Sequence, residues 1–302
     1  GATVAAEIWE MRSGQTQQVQ VSTREAAASL VSFLFHDFED ASKAPSGFDS
    51  GRSRSPIGGF YPTRDERYVY LHPSFPDSAA NLMRLLNCEA NKEAVAETVM
   101  QWTALDLENA IAEAGVCGAM VRSADEWDRS QQGRMLASLP VVQIVKIADS
   151  EPEPFGEHGE QPLSGIRVLD LTRVLAGPTC ARTLAQYGAE AMRIGSPNLP
   201  SVPSFVADTG HGKLSAFLDL TKSEDAERLR HLISEADVFS QGYRSGALER
   251  YGFSAVEVAR LRPGMIYTSI NCYGHEGKWR GRPGWEQLAQ TVTGMADVQG
   301  GD

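Results

Sequence analysis

Residues 165–194, GIRVLDLTRVLAGPTCARTLAQYGAEAMRI, decide the fold. The apolar run at 166–171 predicts a buried strand. Residues 176–188 predict a helix that begins near Pro178, whose fixed φ suits a first helical turn. Residues 189–195 predict a second strand. A strand, a helix and a strand of these lengths form one unit of a parallel sheet.

The same alternation continues toward the C-terminus. Further strands are predicted at 213–220 (KLSAFLDL), 237–243 (DVFSQGY) and 265–274 (MIYTSINCYG), with helices at 222–236 and 254–264 between them. Helical crossovers between parallel strands are typical of nucleotide-binding folds. We therefore predict an α/β fold with a Rossmann-like parallel sheet over residues 165–302.

The N-terminal half has a different organisation. Residues 1–146 predict a smaller α+β domain, in which QVQVS (18–22), RYVYLHP (67–73), CGAMVRS (117–123) and PVVQIVKI (140–147) favour strands. Helices are expected around them, one of them capped by Thr23. The Ser-, Gly- and Pro-rich stretch 41–58 predicts a loop, and 147–164, which mixes proline, glycine and acids, predicts the linker between the domains.

Composition excludes several classes of protein. The 302 residues carry a net charge of −11, which argues against partners with phosphate backbones and against anionic membranes. No apolar run reaches the roughly 20 residues of a membrane span, and the N-terminus lacks the pattern of a signal peptide. Four cysteines show no zinc spacing. We expect a cytoplasmic protein with no nucleic-acid or membrane partner and no metal.

The turn after the first strand of the sheet lacks the dinucleotide fingerprint. A G-x-G-x-x-G motif there would let a pyrophosphate approach the backbone, but only Gly177 is present. We therefore expect neither NAD nor FAD. Ala176 and Gly177 are small enough to let another ligand approach this loop, and a tight turn that requires glycine is the alternative explanation for Gly177.

The quoted stretch resembles the opening of the family III CoA-transferases, the formyl-CoA and carnitine CoA-transferase type. Four later segments resemble that family's pattern in order: GKLSAFLDL, ADVFSQGYRSGALERYGF, LRPGMIYTSINCYGHEG and GWEQLAQTVTGM. Residues 1–146 are similar to segments that follow the family's catalytic aspartate and to its small domain. The segments therefore stand in rotated order.

The resemblance implies a set of residues that bind coenzyme A. Lys213 and Arg250 fall where the family places cations near the CoA phosphates, and Arg193 is a further candidate. Tyr243 stands where the family has an aromatic or apolar residue against the adenine. Gly242 replaces the family's usual asparagine.

The resemblance also implies an activity: transfer of CoA between carboxylic acids through an aspartyl acyl-anhydride, with acyl-CoA and a carboxylic acid as substrates. The nucleophilic aspartate is not found in residues 1–302, so the catalytic residue is unassigned. The chain is either a piece of a longer tandem-repeat protein or a family member that lost its nucleophile.

Two other functions stay open. One is acyl-CoA racemase chemistry, for which the family's relatives need a histidine where this sequence has Trp285. An indole cannot exchange an α-proton, which counts against it. The other is a CoA-binding protein without activity. The family's architecture, two chains interlocked as rings, implies a homodimer.

Overall fold

The computed structural model describes residues 1–36, 38–40, 42, 44, 55–156 and 159–300. The described chain forms two compact units, each built from two separate stretches: 1–53 with 145–270, and 54–144 with 271–302. Most of the predicted loop 41–58 lies outside the described residues. Within the described ranges, no helix is long and apolar enough to cross a bilayer.

The helices in chain order are α1 (Ala2–Ser13), α2 (Thr23–Ser29), α3 (Pro76–Leu86), α4 (Lys92–Val99), α5 (Ala104–Glu113), α6 (Ala124–Arg129), α7 (Gln131–Ala137), α8 (Ala176–Gln186), α9 (Pro203–Thr209), α10 (Ser223–Ser234), α11 (Ala255–Leu261), α12 (Glu286–Val292) and α13 (Met295–Gln299). Short 3-10 helices span Ser32–Leu34 and Glu249–Tyr251.

The strands in chain order are β1 (Gly59–Pro62), β2 (Tyr68–Leu71), β3 (Gly118–Met120), β4 (Arg167–Leu171), β5 (Glu190–Gly195), β6 (Lys213–Phe217), β7 (Val238–Gln241) and β8 (Ile266–Ser269).

The first unit contains a parallel sheet with the order β6-β5-β4-β7-β8. From β4 the chain adds β5 and β6 on one side and then β7 and β8 on the other. Open α/β sheets bind ligands at the point where the strand order switches in this way. The fold prediction for this region is confirmed. It holds because the central strands β4 and β7 are buried along nearly their whole length, as strands in the middle of a helix-covered sheet are.

Side-chain alternation along β4 divides its residues between two cores. Leu169 and Leu171 pack with Phe239, Leu229 and other residues of one core. Val168 packs in the other, with Ala181 of α8. Asp170 is therefore directed toward the α8 side of the sheet, because neighbouring residues of a strand point to opposite faces.

The second unit is built on an antiparallel sheet with the order β1-β2-β3. One core joins this sheet to α3, α4 and α5, for example through Val69, Leu82 and Leu107. A second core joins Cys117 and Ala119 to the segment after residue 270, through Tyr273, Leu288 and Val292.

The predicted boundaries, 1–146 and 165–302, do not follow these units. The N-terminal segment packs with the parallel sheet's helices, because Phe33 meets the Phe205 ring edge-on with centroids 4.7 Å apart and Arg12 donates to the carbonyl of Pro162. Residues 271–300 belong instead to the second unit. Both compact units are discontinuous in sequence.

Two predicted strands are absent from the described chain. Residues 18–22 form no strand, and neither do residues 140–147, whose Val141, Ile144 and other apolar side chains are exposed. Alternation or apolarity alone cannot make a strand where no neighbouring strand offers hydrogen bonds. The cap of α2 is Ser22, whose hydroxyl accepts from the amide of Glu25, rather than Thr23.

Candidate functional site

A cleft opens at the carboxyl ends of β4, β5 and β6. Thr172, Arg173 and Val174 line it from the loop after β4, and Arg193 and Phe217 line it from the neighbouring strands. Residues 199–202 and part of α9 complete its wall. Its cavity volume is about 50 Å³.

The turn from β4 into α8 is tight. Val174 has φ 70°, a left-handed conformation that is a genuine outlier for a β-branched residue. Gly177 is buried, and a Cβ there would lie 2.4 Å from the side chain of Thr172. Gly177 therefore serves close packing within the turn. Ala176, the first residue of α8, is exposed beside it.

The first turn of α8 carries no side-chain cap. The first amides of a helix have no partner within the helix, and together with the helix dipole they favour an anion. Pro178, in this first turn, lines the cleft. The amino end of an 11-residue helix therefore lies at the wall of the cleft.

A buried ion pair lies beneath this turn. The Lys213 ammonium is 2.7 Å from Oδ2 of Asp170, and the two side chains are 1% and 0% exposed. Lys213 also donates to the carbonyl of Pro178 at 2.7 Å, while Asp170 accepts from the amide of Thr172 at 3.0 Å. Burial lowers the pKa of Lys213, and the Asp170 carboxylate opposes that shift.

This position differs from the one predicted for Lys213. Lys213 is the first residue of β6 and pairs with Ala191 near the start of β5. Its backbone therefore lies at the amino ends of the strands, whereas the cleft lies at their carboxyl ends. Two of its three donors are occupied by Asp170 and Pro178. In this structure Lys213 secures the β4–α8 turn and does not line the cleft.

Two guanidinium groups do line the cleft. Arg173 donates to the carbonyl of Pro200, and burial lowers its pKa. Arg193 lies over the ring of Phe217, 5.6 Å from its centroid, and is 3.4 Å from the hydroxyl of Ser215. In the part of the chain that the structure describes, Arg193 forms no ion pair.

The charges of Arg173 and Arg193 influence the pKa of Tyr243. Burial raises the pKa of its phenol, and Arg173 and Arg193 partly offset the rise. Its amide donates to Oε1 of Gln241 at 2.7 Å, which fixes the chain as it leaves β7. Tyr243 and Arg193 are thus within electrostatic range of each other, although Tyr243 is not among the residues that line the cleft.

The remaining predicted residues lie outside the lining of the cleft. Gly242 is exposed, and an added Cβ would make only ordinary contacts, 3.7 Å from the carbonyl of Ile270 and from Thr172. Arg250 is exposed on the 3-10 helix Glu249–Tyr251, with its guanidinium 4.7 Å from the ring centroid of Tyr251.

Sequence reasoning missed Asp170, Arg173 and Val174. Position could have indicated Arg173, because it follows the first strand of the sheet directly, where ligands bind. Nothing in the sequence indicates the left-handed conformation of Val174, since such a residue is normally glycine or asparagine.

Comparison with known proteins places the chain in a family. The model of CoA-transferase family III matches residues 1–148 and 163–302, and the gap between the two stretches falls inside the predicted linker. The chain is similar to an acyl-CoA transferase of Gibberella moniliformis, with 37% identity over 221 residues that make up 70% of this chain and 39% of that protein.

Two further likenesses are weaker. The acetyl-coenzyme A transferase nodX of Hypoxylon pulicicidum is 30% identical over 268 residues, 82% of this chain and 45% of that protein. A solved CAIB/BAIF family protein from Brucella suis is 32% identical, with a TM-score of 0.42 over 45% of this chain and 40% of that one. The chain spans less than half the length of these curated relatives, and it belongs to CoA-transferase family III.

Proposed function

We propose that the cleft binds the phosphates of coenzyme A, and that the chain contributes this site to an enzyme that moves CoA between carboxylic acids. The carrying observation is the pair of guanidinium groups, Arg173 and Arg193, in a cleft beside the uncapped amino end of α8. Guanidinium groups and helix N-termini both recur as phosphate-binding features in proteins.

Phe217 and Tyr243 support the same proposal. Phe217 lines the cleft with one face toward Arg193, and Tyr243, which follows β7 in the chain, lies within electrostatic range of Arg173. Aromatic surfaces beside cations suit a ligand that carries both a base and phosphates. Lys213 would affect ligand binding only indirectly, by stabilising the β4–α8 turn. Arg250 does not line the cleft, so it would contact the ligand only where the ligand extends beyond the cleft.

The two buried carboxylates of this region are poor nucleophiles. Asp170 is fully enclosed and ion-paired with Lys213, and Asp208 accepts from Arg182 at 2.7 Å with a side chain 4% exposed. A carboxylate that attacks a thioester must reach the substrate. We therefore propose that an aspartate outside the described cleft carries the acyl group as a mixed anhydride.

The family resemblance supports two further proposals. The working protein is a homodimer in the cytoplasm, and its substrates are an acyl-CoA and a carboxylic acid. Light scattering of the purified chain at several concentrations would test the dimer, and a monomer at all of them would contradict it.

Calorimetric titration of CoA tests the cleft. We expect Arg193→Gln to weaken binding at least about tenfold, because a hydrogen bond to a charged group is worth about 1.5–3 kcal/mol. Arg228→Gln, which removes the same charge from the exposed face of α10, is the matched control. Equal effects of the two substitutions would reject the cleft.

An Arg250→Ala variant separates the two predicted cation positions. We propose that it weakens CoA binding less than Arg193→Gln does, since Arg250 is not among the residues that line the cleft. Unchanged affinity would remove Arg250 from the site altogether.

A turnover assay tests the nucleophile. We expect residues 1–302 to bind CoA without transferring it between carboxylic acids. Measured turnover by this chain alone would show that the nucleophile lies within it.

A further inference from the structure

The second unit contains a well-fixed loop that carries three cations. The cationic loop, residues 277–282, has Lys278, Arg280 and Arg282 and no acidic residue, in a chain with a net charge of −11. Within its bounds, Arg282 donates its amide to the carbonyl of Trp279 at 2.9 Å. The loop therefore concentrates positive charge on an otherwise acidic protein.

Gln132 holds the loop in place. Its side-chain amide donates to the carbonyls of Tyr273 and Glu276, each at 2.9 Å, and its oxygen accepts from the amide of Trp279 at 3.2 Å. Gln132 is itself buried. One of these three bonds is to the backbone of the loop and two are to the segment that leads into it, so a buried side chain orders the loop before any ligand arrives.

Arg282 is fixed on the aromatic ring of this loop. Its guanidinium lies 4.1 Å from the ring centroid of Trp279 and donates to Oδ1 of Asn109 at 3.2 Å. Its side chain is 19% exposed. A guanidinium that is stacked and hydrogen-bonded loses little further freedom when it binds an anion.

The charge of Arg282 is poorly compensated. The nearest carboxylate, Glu108, is held by both terminal nitrogens of Arg122 at 2.7 and 2.5 Å and also accepts from the amide of Met120. Arg282 stands 3.5 Å from the same carboxylate. One carboxylate thus faces two guanidinium groups, which leaves an excess positive charge.

The outward side of Arg282 faces a shallow depression. Asn109, Lys278, Gly281 and Arg282 line it, together with Ala112 and Glu113 of α5. Since Asn109 uses its oxygen toward Arg282, its NH2 group is left to donate elsewhere. Lys278 forms no ion pair in the described ranges of the chain.

We propose that Arg282, Lys278 and the side-chain amide of Asn109 bind a small carboxylate anion. The planar guanidinium matches a carboxylate through two parallel hydrogen bonds. Glu113 on the rim and Glu108 beneath would repel a dianion more than a monoanion, which favours carboxylate over phosphate. This site is independent of the CoA cleft and of the function proposed for it.

Nuclear magnetic resonance of the 302-residue chain provides the test, with sodium acetate as the probe at constant ionic strength against chloride. We expect saturable shifts of the Asn109 side-chain amide and of the backbone amides of the cationic loop. Asn109→Asp keeps the oxygen that Arg282 uses but replaces the donor with a charge. It should weaken acetate binding at least about tenfold, and Lys278→Gln should weaken it severalfold.

Arg280→Gln is the matched control, because it removes one charge from the same loop at a position that does not line the depression. Its acetate affinity should stay within about twofold of the parent chain. Equal weakening by Arg280→Gln and Lys278→Gln would mean that acetate is attracted only by the overall positive charge of the loop, and it would overturn the site. Chemical shifts that never saturate with acetate would overturn it too. Tighter binding of inorganic phosphate than of acetate would overturn the assignment to a carboxylate.

Discussion

At the scale of single residues, Lys213 shows how burial changes a cation's role. Its ammonium neutralises Asp170 in a space that water does not enter. Removing one partner of such a pair leaves an uncompensated buried charge. We expect Lys213→Met to lower the free energy of unfolding by about 3–5 kcal/mol, measured by urea denaturation.

The exposed Lys222 offers the matched control. Lys222→Met should change the free energy of unfolding by less than about 0.5 kcal/mol. If the two methionine variants were equally stable, the pair would contribute nothing to folding, and its support of the β4–α8 turn would have to be abandoned.

Tyr267 of β8 gives a prediction about pH. Burial raises the pKa of its phenol from 10.0 to about 12, and its ring stacks on Phe239. Between these two values the folded chain holds a proton that the unfolded chain has released, so the free energy of unfolding falls as pH rises.

The contribution of one tyrosine is about 1.4 kcal/mol per pH unit over that window. Because Tyr267→Phe lacks the titrating group, its stability should fall less steeply than the parent's between pH 10 and 12. Parallel pH profiles for the two proteins would mean that Tyr267 does not titrate differently on folding.

At the scale of elements, the 3-10 helix Ser32–Leu34 depends on a polar cluster beside α9. Asp208 accepts from Ser32 and from His36, each at 3.0 Å, and His36 also stacks on His211. We expect His36→Ala to speed amide hydrogen exchange in residues 31–36 while the strands of the parallel sheet keep their protection.

His231→Ala is the corresponding control, because His231 lies exposed on α10. Exchange that accelerates equally throughout the first unit in His36→Ala would show global destabilisation and would contradict a local role for the cluster.

Most elements were predictable where periodicity was strong. The five strands of the parallel sheet and the helices α8, α10 and α11 follow the apolar pattern of the sequence, and the central strands β4 and β7 are buried along nearly their whole length. Residues 18–22 and 140–147 carry a strand pattern without a partner strand. Pairing depends on distant residues, so local pattern could not reveal its absence.

The candidate site was predictable only in part. Arg193 lies near the carboxyl end of β5 and lines the cleft, whereas Tyr243, just after β7, is within electrostatic range of Arg193 but outside the lining. Lys213 was assigned to the phosphate site from motif resemblance. It begins β6, however, so its backbone lies at the amino ends of the strands. Whether a lysine faces ligand or a buried aspartate depends on Asp170, which stands 43 residues away.

At the scale of the whole molecule, the discontinuous units give a prediction about dissection. Residues 54–144 alone would expose the face of Cys117 and Ala119 that Leu288 and Val292 cover. Burying each large aliphatic side chain is worth about 1.5–3 kcal/mol. We expect this fragment to melt without cooperativity, and the same fragment joined to 271–302 by a flexible linker to melt cooperatively.

Differential scanning calorimetry of the two fragments tests whether residues 271–302 are needed for cooperative unfolding. A cooperative transition at the same temperature in both would show that residues 271–302 add nothing to the second unit's core.

A chain emerges from the ribosome with its N-terminal residues first. Because the two units are interleaved in sequence, this order determines when each unit can complete its fold. When residue 144 emerges, the antiparallel sheet exists but its covering segment has not been made. The parallel sheet is synthesised next, and the segment that covers the earlier unit begins only at residue 271. Between the synthesis of residue 144 and that of residue 271, a nascent chain therefore carries an unfinished apolar face as a target for chaperones or for proteases.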